Sequence, residues 1–327
     1  MKEINLTEGL IFQKLIRFSL PMIAGNLLQQ VYNLVDTLIV GKFLGADALA
    51  SVGSAYTLMI FITSIIIGLC MGSGAFFSAD YGAGNEKKLK EDIWLSFWFI
   101  LSVSAVICTV VYPGMGLILR ILQTPQELMV LTREYVAVVF AGIIFVFLYN
   151  FFAYLLRAMG NSLIPLVFLA ISSVINIVLD IWFVVGLNLG VGGAALATVI
   201  AQAVAGIGIA VYALITLPVI RHNGEKIKWN GHRLKEIIKN DVATGIQQSV
   251  MNFGILMIQG LVNSFGTTVM ASFAAAVKID TIAYMPAQEF GNAYSLFVSQ
   301  NYGAKQRERI KKGTRIGTKI RFWRVGF

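Results

Sequence analysis

Two aspartates interrupt long apolar stretches of this 327-residue chain, and they are the residues with the clearest chemistry. Asp36 lies within the stretch 15–40, and Asp180 lies within the stretch 163–186. An ionisable side chain in a bilayer is costly, so such residues face other helices or a water-filled cavity and mark ion pathways. Two buried carboxyl groups within reach of each other do not both ionise freely and must take up a proton or another cation. We therefore predict that Asp36 and Asp180 belong to a cation-binding site.

Three further polar residues complete this predicted site. Asn33 lies three residues before Asp36 on the same helix face, and Asn176 lies four residues before Asp180. Thr198 belongs to the next apolar stretch, 191–217. If the N-terminus is cytoplasmic, Asp36, Asp180 and Thr198 all lie roughly 8 to 10 Å beneath the outer boundary of the membrane. We expect these oxygen atoms to hold the coupling ion, for which H+ and Na+ are both chemically suitable.

A structural role is the alternative for the same residues. Short polar side chains near helix ends often hydrogen-bond to backbone. Amides and carboxyl groups also hold neighbouring membrane helices together. The polar seam on the first stretch, formed by Asn26, Gln29, Asn33 and Asp36, is compatible with either role.

Composition predicts an all-α polytopic membrane protein. Hydrophobic residues make up 57% of the chain and charged residues 13%, which is more apolar surface than a soluble fold can bury. Eight apolar stretches have the length of a membrane crossing, namely 15–40, 51–77, 93–119, 131–155, 163–186, 191–217, 241–264 and 269–297. The first is too long for a signal peptide, and we expect it to remain in the mature chain. Cys70 and Cys108 lie within apolar stretches, which predicts packing rather than a disulfide.

Charge predicts the orientation. Most of the 26 Lys and Arg residues precede the first stretch or follow an even-numbered one. By the positive-inside rule, the N-terminus is expected in the cytoplasm of a multi-pass plasma-membrane protein. The net charge of +9 is then explained by topology, and a nucleic-acid partner is not required.

The sequence contains an internal repeat. A shift of 221 residues aligns 43–58 with 264–279 and, without a gap, 76–90 with 297–311. The second block repeats Tyr81 and Gly82 as Tyr302 and Gly303. The repeat unit contains six predicted helices, and because six is even, both copies enter the membrane from the same side, as in two-lobed transporters with parallel repeats.

These patterns divide the chain into four parts. We predict a complete six-helix N-lobe (1–217), a cytoplasmic connector (218–240) and a partial C-lobe with the first two helices of the second copy (241–312). The basic tail 313–327 is too short and too polar to cross a membrane. We interpret the sequence as truncated, and we expect the tail to be non-helical.

The chain resembles the MATE family, the multidrug and toxic compound extrusion antiporters, across residues 10–312. The resemblance rests on 19–53, on ADYGAGN (79–85), on LLRAMGNSLIP (155–165) and on 175–202. It implies a twelve-helix, two-lobed, V-shaped carrier that exports amphipathic, often cationic compounds in exchange for H+ or Na+. It implies no cofactor apart from that ion, and we expect the full-length protein to be a monomer. The family's NLVD aspartate falls on Asp36, its NxxxD pair on Asn176 and Asp180, and its sixth-helix threonine on Thr198.

Several other residues are candidates for the substrate cavity. They are polar residues in the predicted helices: Gln29, Tyr32, Asn150, Lys278, Asp280 and Glu289. Lys278 and Glu289 are eleven residues apart and so share a helix face, where an ion pair or a contact between lobes is the alternative.

Other functional classes are less well supported. Neither HExxH nor GxxxxGK[ST] occurs in the sequence, and no catalytic residues are predicted, so an intramembrane enzyme or an ATP-driven pump is disfavoured. A lipid-linked saccharide flippase of the same superfamily would require a cationic cavity, for which Lys278 and Arg157 are the candidates. A third alternative is an inactive fragment. For a transporter, the expected weak points at which the first helix bends are Pro21, Gly25, Gly41 and Gly45.

Overall fold

Ten α-helices, and no β-strand, make up the part of the chain that this computed structural model describes. That part comprises residues 4–122, 124–220, 229–263, 265 and 267–324, without some side chains, chiefly in 251–282 and 319–324. The helices are α1 (Ile11–Leu44), α2 (Ala46–Gly82), α3 (Glu86–Ile121), α4 (Met129–Ala141), α5 (Ile143–Ala158), α6 (Leu163–Asp180), α7 (Gly190–Thr216), α8 (Gly231–Asn263), α9 (Thr267–Gly303) and α10 (Arg307–Arg324).

The helices coincide with the apolar stretches of the sequence. The stretch 131–155 forms two helices, α4 and α5, which are bent by 45° at Gly142. A Cβ at Gly142 would lie 2.9 Å from Val199 of α7, so the missing side chain lets α7 pack closely against the bend. The stretch 163–186 forms α6 and a π-helical turn, Ile181–Gly186.

Four of the described helical segments are long and apolar enough to cross a membrane. They are Ala46–Gly82, Glu86–Ile121, Leu163–Gly186 and Gly190–Thr216, and the bent pair α4–α5 adds a fifth if it is a single crossing. The 34-residue α1 is also long enough, but its polar seam makes it less apolar. These helices define a multi-pass membrane protein. The total of eight crossings remains a prediction.

The expectation that the basic tail 313–327 is non-helical is wrong as far as Arg324. The tail continues α10, which packs on α9. The Tyr294 hydroxyl lies 2.7 Å from the Thr314 hydroxyl, and Gly313 lies against the ring of Phe297. These contacts with α9 give the basic helix a surface on which to fold. Residues 325–327 lie outside the described part.

The packing places α1, α4, α6 and α7 around the two aspartates. The helix α1 packs against α6, and α7 packs against α4, α5 and α6. On the other side of the bundle, α2 packs against α5, α8 and α9. It thereby joins helices α1–α7, which we call the first lobe, to helices α8–α10, which we call the second lobe. The rings of Phe97, Phe147 and Phe151 lie 5.3 to 5.7 Å apart and form an aromatic core between α3 and α5.

The lobes meet at what we call the inner end of the bundle, the end that carries the N-terminus of α1. There, Gly82 of α2 lies against the carbonyl of Gln300, and Gly303 of α9 lies against the carbonyl of Ala79. A Cβ on either glycine would collide with that carbonyl. The shift of 221 residues relates Gly82 to Gly303 and Ala79 to Gln300. The contact therefore has the two-fold symmetry of the repeat.

Arg233, in the first turn of α8, also joins the lobes at the inner end. Its guanidinium donates hydrogen bonds to both carboxylate oxygens of Asp92 on α3, to Asp80 on α2 at 3.2 Å and to Glu236 at 2.8 Å. It also lies 4.6 Å from the ring centroid of Phe76. The start of α8 is thereby fixed to two helices of the first lobe.

Candidate functional site

Asp36 and Asp180 meet inside the bundle. Asp36, on α1, is 9% exposed, and Asp180, the last residue of α6, is fully buried. Their carboxyl groups lie within hydrogen-bonding reach of each other. The geometric condition for a shared cation, two carboxyl groups side by side in an apolar protein interior, is present in the fold.

The backbone changes its winding directly after Asp180. The helix α6 ends there and continues as the π-helical turn Ile181–Gly186, in which Phe183 and Val184 are buried. Such wide turns are rare and often occur at functional sites, because they re-aim side chains that a regular helix would direct elsewhere. The turn lets Val184 pack in the core while Asp180 faces α1.

Acceptor oxygens without a hydrogen-bond donor surround this pair. Among the described residues, no donor reaches Oδ1 of Asp36, either carboxylate oxygen of Asp180 or Oδ1 of Asn176. The side-chain amide of Asn176 donates to the Thr198 hydroxyl at 3.4 Å, which leaves the Asn176 carbonyl oxygen free to bind a cation. Buried acceptors are normally satisfied in proteins. A cluster of four such oxygens is therefore chemically suited to a proton or a cation.

Asn33, by contrast, lies outside this oxygen cluster. Its side-chain amide donates to the Tyr56 hydroxyl on α2 at 3.4 Å. A spacing of three residues rotates a side chain about 60° away from its neighbour on a helix, which is enough to direct Asn33 toward α2 while Asp36 faces α6. Spacing alone was too coarse to separate the two directions.

Tyr135 is a member of the site that the sequence pattern did not indicate. It is buried on α4, its hydroxyl is within hydrogen-bonding reach of Thr198, and the charges of both Asp36 and Asp180 act on it. Its stretch, 131–155, has no polar periodicity around this position. The packing of α4 against α7 brings Tyr135 to Thr198 and the carboxyl pair.

Two of the predicted substrate residues lie next to the carboxyl pair on α1. The Tyr32 hydroxyl is within hydrogen-bonding reach of Gln29, and the ring is close to Asp36, Tyr56 and Tyr149. This belt of phenols and an amide, continuous with the acidic pair, has the mixed apolar and polar character of a site for amphipathic compounds.

The remaining candidates are placed differently. The Asn150 amide donates to the backbone carbonyl of Val146 at 2.8 Å, as short polar side chains in helices commonly do. Glu289 is 6% exposed and accepts a hydrogen bond from Asn292 at 2.9 Å, and it interacts with Arg157 across the lobe contact. The side chains of Lys278 and Asp280 lie outside the described part of the chain.

The ligand set of the oxygen cluster limits the choice of cation. Two carboxylates and one amide oxygen are hard oxygen ligands, which suit H+, Na+ and other hard cations rather than soft transition metals. The predicted fourth ligand, the Thr198 hydroxyl, accepts from Asn176 and donates to the Ala194 carbonyl at 3.1 Å. Within the described residues, no group of three or more His, Cys, Asp or Glu side chains could hold a metal ion.

A helical membrane protein with a parallel repeat and an intramembrane carboxyl pair has the features of a secondary transporter. The sequence matches the MatE family over residues 21–182 and 243–323. The chain belongs to the MATE family, as its motifs predicted. MATE proteins are transporters, which confirms the prediction that the chain is not an enzyme and that small molecules and the bilayer are its partners.

Curated relatives support this assignment. The chain is 31% identical over 316 residues to the probable multidrug resistance protein YpnP of Bacillus subtilis, with 95% of this chain and 69% of YpnP covered. It is 25% identical over 307 residues to the probable multidrug resistance protein NorM of Thermotoga maritima, with 92% and 65% covered. It is 27% identical over 273 residues to the multidrug export protein MepA of Staphylococcus aureus, with 82% and 60% covered.

Solved structures support the fold. A MOP superfamily transporter from Pyrococcus furiosus superimposes with a TM-score of 0.89 at 24% identity, covering 99% of this chain and 72% of that one. A crystal structure of MATE in the bent conformation gives a TM-score of 0.88, also at 24% identity, with 99% and 72% covered. The all-helical membrane fold predicted from composition is thereby confirmed.

Proposed function

We propose that this protein exports small amphipathic compounds, often cationic ones, by antiport against H+ or Na+. The observation that carries the proposal is the cluster of buried acceptor oxygens on Asp36, Asn176 and Asp180, with the two carboxyl groups side by side. The names of the relatives, two probable multidrug resistance proteins (YpnP and NorM) and a multidrug export protein (MepA), support drugs as the substrate class.

The coupling follows from the two states of this cluster. Two adjacent anions repel each other in a low dielectric, and a bound cation removes the repulsion and draws α1 toward α6. The helix α1 can respond because Pro21, inside it, lacks the N–H that would bond to the preceding turn. Gly25, one turn later, faces Leu166 and Leu169 of α6. A cation moving down its gradient would bend or straighten α1 and expel the substrate, and release of the cation would reset the site.

The topology belongs to the same proposal. We infer eight crossings for this chain, with the N-terminus in the cytoplasm and the oxygen cluster nearer the outer face, and a monomer as the functional unit. The excess of Lys and Arg in alternate connections supports this orientation. We infer that the substrate contacts α1 beside the carboxyl pair, with Gln29 and Tyr32 as first contacts.

Efflux from reconstituted liposomes tests the proposal. Asp36→Asn and Asp180→Asn keep the size of each side chain but remove its charge, and each is expected to reduce ion-driven efflux of a fluorescent organic cation at least about 100-fold. Asp47→Asn is the matched control, because Asp47 is an exposed aspartate at the start of α2. Wild-type rates in both site variants would remove the assigned coupling site.

The same assay separates the coupling ions and the alternatives. Efflux driven by a pH gradient in sodium-free buffer identifies H+, and efflux driven by a sodium gradient at equal pH identifies Na+. Absence of efflux under both gradients in the 327-residue chain would favour an inactive fragment. A flippase is not favoured, because the charge of Arg157, its described cationic candidate, is opposed by Glu289 and lies over the ring of Tyr154.

A further inference from the structure

A second buried aspartate site lies at the contact between α2 and α8. Asp241 of α8 is fully buried, and its Oδ2 accepts a hydrogen bond from the Ser73 hydroxyl at 2.5 Å. The neighbouring Asn240 donates to the backbone carbonyl of Gly72 at 3.0 Å. Asp241 lies about 15 Å along α8 from its first residue, in the half of the bundle that leads to the inner end. It is not part of the Asp36–Asp180 site.

Glycines on α2 enclose this carboxyl group. A Cβ at Gly72 would lie 2.6 Å from Oδ1 of Asp241 and 2.7 Å from its Cα. One turn away, a Cβ at Gly68 would lie 2.6 Å from the Cα of Gly245. The two helices are thus in backbone contact over two successive turns, and the Asp241 carboxyl group is covered by the backbone of α2.

The surroundings of Asp241 offer no counter-ion among the described residues. Arg233, on the same helix, is engaged by Asp92, Asp80 and Glu236. The charged group that acts on Asp241 from α3 is Asp92, another acid.

The other packed helices add no positive charge to this environment in the described part. The helix α2 presents Ser73 and Cys70. The buried carboxyl group of α9, Glu289, interacts instead with Arg157, Asn292 and Asn26.

One oxygen of Asp241, Oδ1, has no hydrogen-bond donor among the described residues. A buried carboxylate without a counter-ion is strongly unfavourable, whereas a neutral carboxyl group is tolerated. We propose that Asp241 is a proton-binding site that keeps its proton while α2 and α8 are packed, and releases it to water at the inner end when these helices separate. The lobe contact is thereby linked to pH.

The sign of this linkage is fixed by mass action. The proton is bound in the packed state and lost in the separated state, so a low pH stabilises the packed state and a rising pH favours separation. Above the titration midpoint, the separated population should increase about tenfold per pH unit, until another step limits it. This dependence requires no transported substrate and does not rest on the export proposal.

Two measurements on the whole chain in liposomes test this inference. Infrared difference spectra between low and high pH should contain a protonated-carboxyl band that Asp241→Asn removes and the exposed control Asp47→Asn retains. Hydrogen exchange of residues 231–245, corrected for the intrinsic rate at each pH, should accelerate as the pH rises in wild type and in Asp47→Asn. In Asp241→Asn, which is permanently neutral, the corrected protection should be independent of pH.

Each contrary result overturns a defined part of the proposal. An unchanged infrared spectrum in Asp241→Asn would mean that Asp241 does not bind the proton. Loss of the band with wild-type pH dependence of exchange would mean that the proton is not linked to separation of the helices. Ser73→Ala guards against a folding defect in Asp241→Asn, because it removes only the hydrogen bond to Oδ2 and should shift the band to higher frequency. Transport is measured in neither assay, so failure of the export proposal would leave these results interpretable.

Discussion

Tyr135 brings a phenol to a site that otherwise consists of acids, an amide and a hydroxyl. A phenol donates one hydrogen bond and can accept another. The Thr198 hydroxyl donates to the backbone carbonyl of Ala194 at 3.1 Å. Tyr135 lies within hydrogen-bonding reach of Thr198, and both aspartate charges act on it, so its own hydroxyl is placed to take part in ion binding. At the scale of single residues, we therefore expect ion affinity to depend on the Tyr135 hydroxyl rather than on its ring.

Tyr135→Phe tests this expectation. The variant keeps the buried ring and removes one hydrogen bond, worth about 1.4 kcal/mol, so the coupling-ion concentration for half-maximal efflux should rise about tenfold while the maximal rate changes little. Tyr112→Phe is the control, since the Tyr112 hydroxyl donates to the backbone carbonyl of Ala137. An equal shift in both variants would mean that the loss of any phenol hydroxyl has this effect, and it would contradict a specific role for Tyr135.

The sequence identified the site residues whose type is unusual in an apolar helix, and it missed those whose type is common there. Asp36 and Asp180 stood out because a carboxyl group in an apolar stretch is conspicuous whatever the fold. Asn33 was assigned to the same group on spacing alone, although its amide bonds to Tyr56. Tyr135 had no signal, because a tyrosine in a membrane helix is common and only tertiary packing selects this one.

Arg233, in the first turn of α8, fixes the position of this helix by its ion pair with Asp92 of α3. Arg233 is 11% exposed and binds Asp92, which is fully buried, so either charge alone would be left unpaired in the interior. The Arg233 hydrogen bond also holds the pKa of the exposed Glu236 carboxyl below its ordinary value. The lowered pKa of Glu236 therefore stabilises the fold above about pH 4.3, and this stabilisation is lost on acidification below that pH.

At the scale of elements, removing Arg233 should loosen α8 from the first lobe. Arg233→Gln leaves Asp92 without its cation and is expected to lower stability by about 3 kcal/mol, seen as a reduced thermal unfolding midpoint in detergent. Lys235→Gln, an exposed change on the same turn, is the control. Adding Asp92→Asn to Arg233→Gln should recover part of the loss, and a double variant no more stable than the single one would contradict the assigned pairing.

The elements themselves were largely predictable, since hydropathy marks helices of membrane length. The breaks within them were not. The bend at Gly142 lies against Val199 of α7, a contact between distant parts of the chain, and the π-helical turn after Asp180 leaves no signature in an unbroken apolar stretch. The helical tail was mispredicted because its sequence is basic, while its stability comes from packing on α9.

The two lobes are related by a two-fold symmetry, as the internal repeat of the sequence predicted. Gly82 of the first lobe lies against the carbonyl of Gln300, and Gly303 of the second lobe lies against the carbonyl of Ala79. The chain before α1 follows the same logic, because the Leu6 amide donates to the side chain of Gln300 at 2.9 Å, as Arg233 at the start of α8 binds Asp80. Each lobe is therefore fastened at the inner end by the segment that enters the other.

Symmetry makes a quantitative prediction at this scale. Gly82→Ala and Gly303→Ala each place a methyl group on a backbone carbonyl that cannot move easily, so both should lower stability by about 2 kcal/mol and by similar amounts. Gly116→Ala is the control, since a Cβ at Gly116 meets nothing within 4 Å. Unfolding midpoints that differ strongly between the first two variants would argue against an equivalent contact.

The 221-residue shift predicted that two related blocks exist, but not that they touch. Equivalence in sequence says which residues correspond, whereas contact depends on where the two-fold axis passes, and that is fixed by the packing of α2 against α8 and α9. The ion network of Arg233 was hidden for the same reason, because its partners lie 141 and 153 residues away in the chain.

The widened turn Ile181–Gly186 has a consequence for anyone aligning or engineering this chain. A π-helical turn accommodates one residue more than regular winding would, so deleting a single residue there would rewind the segment and swing Asp180 by about 100° relative to α7. The number of residues in this turn thus determines the direction in which the Asp180 side chain points. A one-residue gap at this point can turn the Asp180 carboxyl group away from Asp36 even when every aspartate is retained.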